Sequence, residues 1–167
     1  MPERKTIEKA KQDKRQGKSA STQAGEFVKE QIHHVREGRH GVRSTKQAIA
    51  IGLSEARRSG VDLPAPKPGR ASAKTRAKAE QDVRKGDETP HKKSATRSRA
   101  TKTALKREGK SGASKSALAA HAKTAAKRRS AADRSAAAKK AARTKGAAGR
   151  SAAAKKAART RAANRHA

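Results

Sequence analysis

Ten of the fourteen Leu, Ile, Val and Phe residues of this 167-residue chain fall between Phe27 and Leu63, and that concentration decides where a core can form. Outside it only Ile7, Val83, Leu105 and Leu118 are available. Fourteen such residues are about 8% of the chain, against the roughly 20% below which a compact core is doubtful. So little apolar area does not offset the entropy of ordering the whole polypeptide. The sequence therefore predicts a mostly α chain with extensive disorder: a small antiparallel helical hairpin, then a long basic, Ala/Lys-rich tail of transient helices. Four segments are expected: a polar basic start (1–18), the hairpin (19–63), a Pro-rich and mixed-charge linker (64–93), and the tail (94–167).

Within the hairpin the helix ends are written in the residues. Ser21 or Thr22 can cap a first helix that stops before Gly38, with Ala24, Val28, Ile32 and Val35 on one face and Phe27 beside them. Ser44-Thr45-Lys46-Gln47 fits a capping box for a second helix. Ile49, Leu53 and Ala56 form its apolar stripe, and Gly60 with Val61 suits a Schellman ending. Ala48, Gly52 and Ala56 recur every four residues, which would let another helix approach closely. Ile51 points away from Ile49 and Leu53, so a bare hairpin leaves it exposed. Either the Ile7 region or a second copy of the protein would cover it, making Ile51 the candidate protein contact for a homodimer.

The chain carries 45 Lys and Arg against 14 Asp and Glu, a formal net charge of +31. The excess is sorted toward one end: residues 91–167 hold 24 basic and two acidic residues, giving 24 − 2 = +22. An eleven-residue stretch, Arg134 to Thr144, recurs unchanged as Arg150 to Thr160. In each copy two lysines and an arginine, Lys139, Lys140 and Arg143 or Lys155, Lys156 and Arg159, fall on one side of a helical turn. Gly146 and Gly149 interrupt between the copies. A polycation of this kind binds phosphate backbones by releasing counterions, with a log–log salt slope of about −9 for ten contacts. The candidate nucleic-acid-binding residues are Lys127, Arg128, Arg129, Arg134, Lys139, Lys140, Arg143, Lys145, Arg150, Lys155, Lys156, Arg159 and Arg161. Base-edge readout needs a shaped element in a groove, and single-strand binding uses stacking aromatics; the tail has neither. Duplex DNA bound without sequence preference is the first partner, RNA the second. The competing class is a hydrophilic disordered protectant of other proteins, although such proteins usually mix both charge signs.

Other signals carry less. Thr89-Pro90-His91-Lys92 is similar to the Thr-Pro-x-Lys form of linker-histone tails, in a single copy. His33, Glu37 and His40 have a spacing that suits one helix face, but Gly38 ends that helix before His40, so no metal site is assigned. With no Cys, disulfides and thiolate zinc sites are excluded. No phosphate loop, nucleophile–base pair or paired core carboxylates appear, so no enzyme activity and no cofactor are expected. No run approaches the roughly 20 apolar residues of a membrane span, and Met1 to Lys18 lacks the apolar segment of a signal peptide.

Ser19 to Pro64 resembles a small bacterial family of proteins of unknown function. The resemblance rests on Lys46-Gln47-Ala48-Ile49-Ala50-Ile51-Gly52-Leu53-Ser54-Glu55-Ala56-Arg57-Arg58, on Ser21 to Val28 and on Glu37 to Gly41. It implies a bacterial origin and no catalytic residues. The Lys/Ala-rich end is similar in composition to the tails of linker histones and of bacterial nucleoid proteins of that type. Together they lead to the expectation of a nucleoid-associated, cytoplasmic protein that neutralises and compacts DNA.

Overall fold

The computed structural model describes residues 2–87 and 94–164. Its described residues divide into two compact units, within residues 1–121 and 122–167. The first contains α1 (Arg4–Arg15), α2 (Ala20–Glu37), α3 (Thr45–Arg58), α4 (Ala73–Asp87), α5 (Ala95–Arg107) and a 3-10 turn (Ser111–Ala113). Helix α6 (Lys115–Lys127) carries the boundary, and α7 (Ala131–Ala163) belongs to the second.

Helices α2 and α3 pack against each other, and their ends follow local rules. Gly38 closes α2 in the left-handed conformation, with Arg39 N–H returning to the His34 carbonyl. The Ser44 hydroxyl accepts from Gln47 N–H at the start of α3. The Gln47 side chain reaches one residue further back than a capping box requires and accepts from Arg43 N–H at 2.8 Å. At the far end Val61 N–H bonds to the Ala56 carbonyl and Gly60 N–H to the Arg57 carbonyl, the two bonds of a Schellman ending.

The face that α3 turns to α2 is its small-residue row: Ala48, Gly52 and Ala56 are buried, whereas Ile49 and Leu53 are half-buried. At Gly52 a Cβ would lie 2.6 Å from the Val28 Cα, so the two backbones approach within a distance that only glycine permits. Close approach changes the apolar arithmetic. Five buried residues, Ala10, Ala24, Phe27, Ala56 and Val61, form one cluster, flanked by Ile7, Ala20, Leu53 and Leu63. A second joins Val35, Val42, Ala48 and Ala113, flanked by Ile32 and Ile51. More than half of these nine buried side chains are alanine, which a count of large apolar residues misses.

Three further pieces cover the pair. Helix α1 packs on α2 and inserts Ile7 and Ala10 into the first cluster. Within the stretch read as a linker, residues 73–87 form α4, which packs on α3 through Ala79 and Asp82. The Asp82 carboxylate accepts from the Ser54 hydroxyl at 2.5 Å. The third piece is a strap, residues 105–113, that pairs with the α2–α3 connection. Gly41 N–H donates to the Leu105 carbonyl at 2.9 Å and Val42 N–H to the Gly109 carbonyl at 2.8 Å. The Thr45 hydroxyl donates to the Gly112 carbonyl at 2.7 Å, and Arg36 Nε to the Ala113 carbonyl at 2.9 Å. Ala113 is fully buried as a result.

The expected extensive disorder is overturned: helices account for most of the described residues, those of the basic tail included. Two physical terms account for the difference. Alanine and glycine contacts make a core without large side chains, and alanine sustains helices without tertiary support. Sixteen of the 33 residues of α7 are Ala, the strongest helix former. Like-charge pairs four apart, such as Lys139 and Arg143, cost only about 0.2–0.5 kcal/mol each. Among the described residues no helix is long and apolar enough to cross a membrane.

Candidate nucleic-acid interface

The second unit is built on one 33-residue helix. Ser130 caps α7 by accepting from Asp133 N–H at 3.0 Å, and Asp133 supplies the negative charge that the helix N-terminus favours. At Gly146 the backbone leaves the helical region (φ 63°, ψ 174°), so α7 is two helical stretches joined at a kink, where the residues between the repeats placed a break. Arg150 reaches across it and donates from Nη1 to the Ala142 carbonyl at 2.6 Å.

Lys127 closes α6, and Arg128 and Arg129 lie in the turn before α7. Arg134 donates from Nη1 back to the Arg129 carbonyl at 3.3 Å, bringing those two residues together. Lys139, Lys140 and Arg143 occupy one arc of the first stretch, and Lys155, Lys156 and Arg159 the matching arc of the second, at about 100° per residue. Arg134, Arg150 and Arg161 fall on the other side; the side chain of Lys145 lies outside the described residues. Of the residues from Ala122 to Asn164 whose side chains are described, all but Ala142 and Ala157 are exposed. A helix with no buried face holds its cations in solvent around its circumference. It can cover a polyanion, but it cannot present a shaped pocket.

Other sequence candidates take different places. Ile51 is half-buried against the second cluster, beside Val35 and Val42 rather than under the Ile7 region. Phe27, the chain's one aromatic residue of the Phe, Trp and Tyr set, is fully buried and offers no stacking surface. Thr89-Pro90-His91-Lys92 lies outside the described residues. His33 pairs with Glu37 at 3.0 Å, but His40 turns away and sits between the Gln31 side chain (3.1 Å) and the Gly41 carbonyl (3.0 Å).

The sequence reading missed a group between α1 and α2. Glu3, at the α1 N-terminus, donates its backbone N–H to Glu30 Oε1 at 2.8 Å. Its own carboxylate lies 3.1 Å from His34 Nε2 and 2.6 Å from Arg39 Nη1. The Arg39 hydrogen bond, then that of His34, holds the Glu3 carboxyl below its ordinary range. These residues line an open groove of about 710 Å³ between the two helices. The four-residue spacing of Glu30 and His34 was legible; the partnership with Glu3, 27 residues away, was not.

No curated protein and no solved structure matches the chain. One family model does match, described as a family of unknown function, DUF6496. It covers residues 3–67, the stretch that folds as α1, α2, α3 and the start of the Pro-rich connection.

Proposed function

We propose that the protein binds duplex DNA without sequence preference through α7, acting in a bacterial nucleoid as a charge-neutralising and compacting protein. The observation that carries this reading is the solvent-facing display of cations on both stretches of α7, with Asp133, its one acid, confined to the first turn. A surface of this kind acts through counterion release, which depends on phosphate density and not on base identity. The burial of Phe27 favours duplex over single strands, because no aromatic ring is left for base stacking. The uniform helix face gives no means of reading base edges.

The test is a salt series of gel shifts with the full chain and a variant in which Lys139, Lys140, Arg143, Lys155, Lys156 and Arg159 are all replaced by Gln. Glutamine keeps the helix and removes the charge. If all six contact phosphates, the magnitude of the log–log slope falls by about 5. Affinity that is insensitive to salt, or unchanged in the variant, rejects the reading. Tighter binding to structured RNA than to duplex DNA of equal charge moves the site to RNA.

A further inference from the structure

We infer that Glu3, Glu30 and His34 form a binding site for a divalent transition-metal ion of the zinc type, with Arg39 standing in for the ion when it is absent. One ligand atom from each of the three residues lies within 4.8 Å of the others. His34 Nε2 is 3.1 Å from Glu3 Oε1 and 3.7 Å from Glu30 Oε1. These values bracket the roughly 3.4 Å edge of a tetrahedron whose bonds are about 2.1 Å, the length of zinc bonds to imidazole and carboxylate. Glu30 and His34 are four apart on α2, so one helix face presents both, and Glu3 closes the set from α1.

A second observation points to a missing ligand. The Glu30 side chain is only 5% exposed, lies along the groove between α1 and α2, and leaves its Oε2 buried with no hydrogen-bond partner. A buried carboxylate oxygen without a donor is costly, and a cation held by the same carboxylate through Oε1, the oxygen nearest His34, would offset part of that cost.

Arg39 identifies where the ion sits. Its Nη1 is 2.6 Å from Glu3 Oε1 and 2.9 Å from His34 Nε2, so a positive group already lies between two of the three ligands. The Arg39 side chain is 54% exposed and its Nε already forms an ion pair with Glu37 at 3.0 Å, which gives it a place to go when an ion enters.

The experiment is calorimetric titration of the full chain with Zn²⁺ at neutral pH without nucleic acid, repeated with Co²⁺, whose visible spectrum reports coordination by nitrogen and oxygen. One equivalent is expected to bind. Glu30→Gln and His34→Ala each weaken binding at least about tenfold. Arg39→Gln, which removes the competing cation, tightens it, and His33→Ala leaves it unchanged. Circular dichroism checks folding; should Glu30→Gln unfold the chain, the exposed Arg39 substitution still decides. Absence of binding, equal binding in the His34→Ala protein, loss of binding in His33→Ala, or no gain in Arg39→Gln overturns the site.

Discussion

The Cα of Gly52 faces the backbone of Val28 so closely that a single methyl group between them would sit 2.6 Å from the Val28 Cα and 2.8 Å from its nitrogen. Two effects of Gly52→Ala therefore oppose each other. Helix propensity gains about 1 kcal/mol, while overpacking a backbone contact costs about 1–3 kcal/mol or more. Because the obstacle is main chain, which cannot rotate aside, packing prevails. Gly52→Ala is expected to lower the urea midpoint, and a rise would show that α2 and α3 can separate freely.

Thr45 tests the strap. Its hydroxyl donates to the buried Gly112 carbonyl, so Thr45→Val keeps the shape and strands the acceptor, at about 1–3 kcal/mol. Amide exchange should speed up at Val42, whose N–H bonds to Gly109, more than at Val61. Equal effects at both would mean that the strap does not open separately.

Glu55 sets a pH dependence. Burial lifts its carboxyl above the ordinary Glu value, the nearby Glu30 adds to this, and Arg58 and the Gln31 hydrogen bond oppose it. The folded state thus holds this proton more tightly than the unfolded chain. The Glu55 contribution to stability falls as pH rises from the ordinary Glu value through the raised one. Glu55→Gln can still accept from Gln31 and loses the buried charge. It should be more stable than the parent at neutral pH and flatter across that interval; an unchanged pH profile of melting would count against the burial argument.

Gly146 holds the kink in α7. Gly146→Ala disfavours φ of 63° and should raise helicity in circular dichroism. Sixteen residues advance a continuous helix by about 1600°, which would turn the two cation arcs about 160° apart. DNA affinity is expected to fall although no charge is removed. Unchanged affinity would show that the arcs act separately.

What was legible in the sequence was local. Gly38, Ser44 and Gly60 fix helix ends through bonds to residues within five positions, and the Ala48, Gly52, Ala56 row announced a close approach. The repeat in α7 was readable because its cations recur at fixed spacing. Helix α4 and the strap were not, since Ala79, Asp82 and Ala113 have no pattern of their own and gain meaning only against α3 and the α2–α3 connection. The acid–histidine group was hidden for the same reason: Glu30 and His34 share a face of α2, while Glu3 lies at the start of another helix.

The strap has a consequence for how the chain comes together. Arg36 and Ala113 are 77 positions apart, and Thr45 and Gly112 are 67. On the ribosome, α2 and α3 emerge long before the segment that finishes their interior, so Val35 and Val42 wait in water until Ala113 arrives. Closure then brings together ends of a long loop, the slow kind of step in folding. A fragment ending near residue 90 would keep four helices and lack the residue that seals them. The smallest piece with a complete interior runs through the 3-10 turn, and any dissection of the cationic helix from the rest begins beyond it.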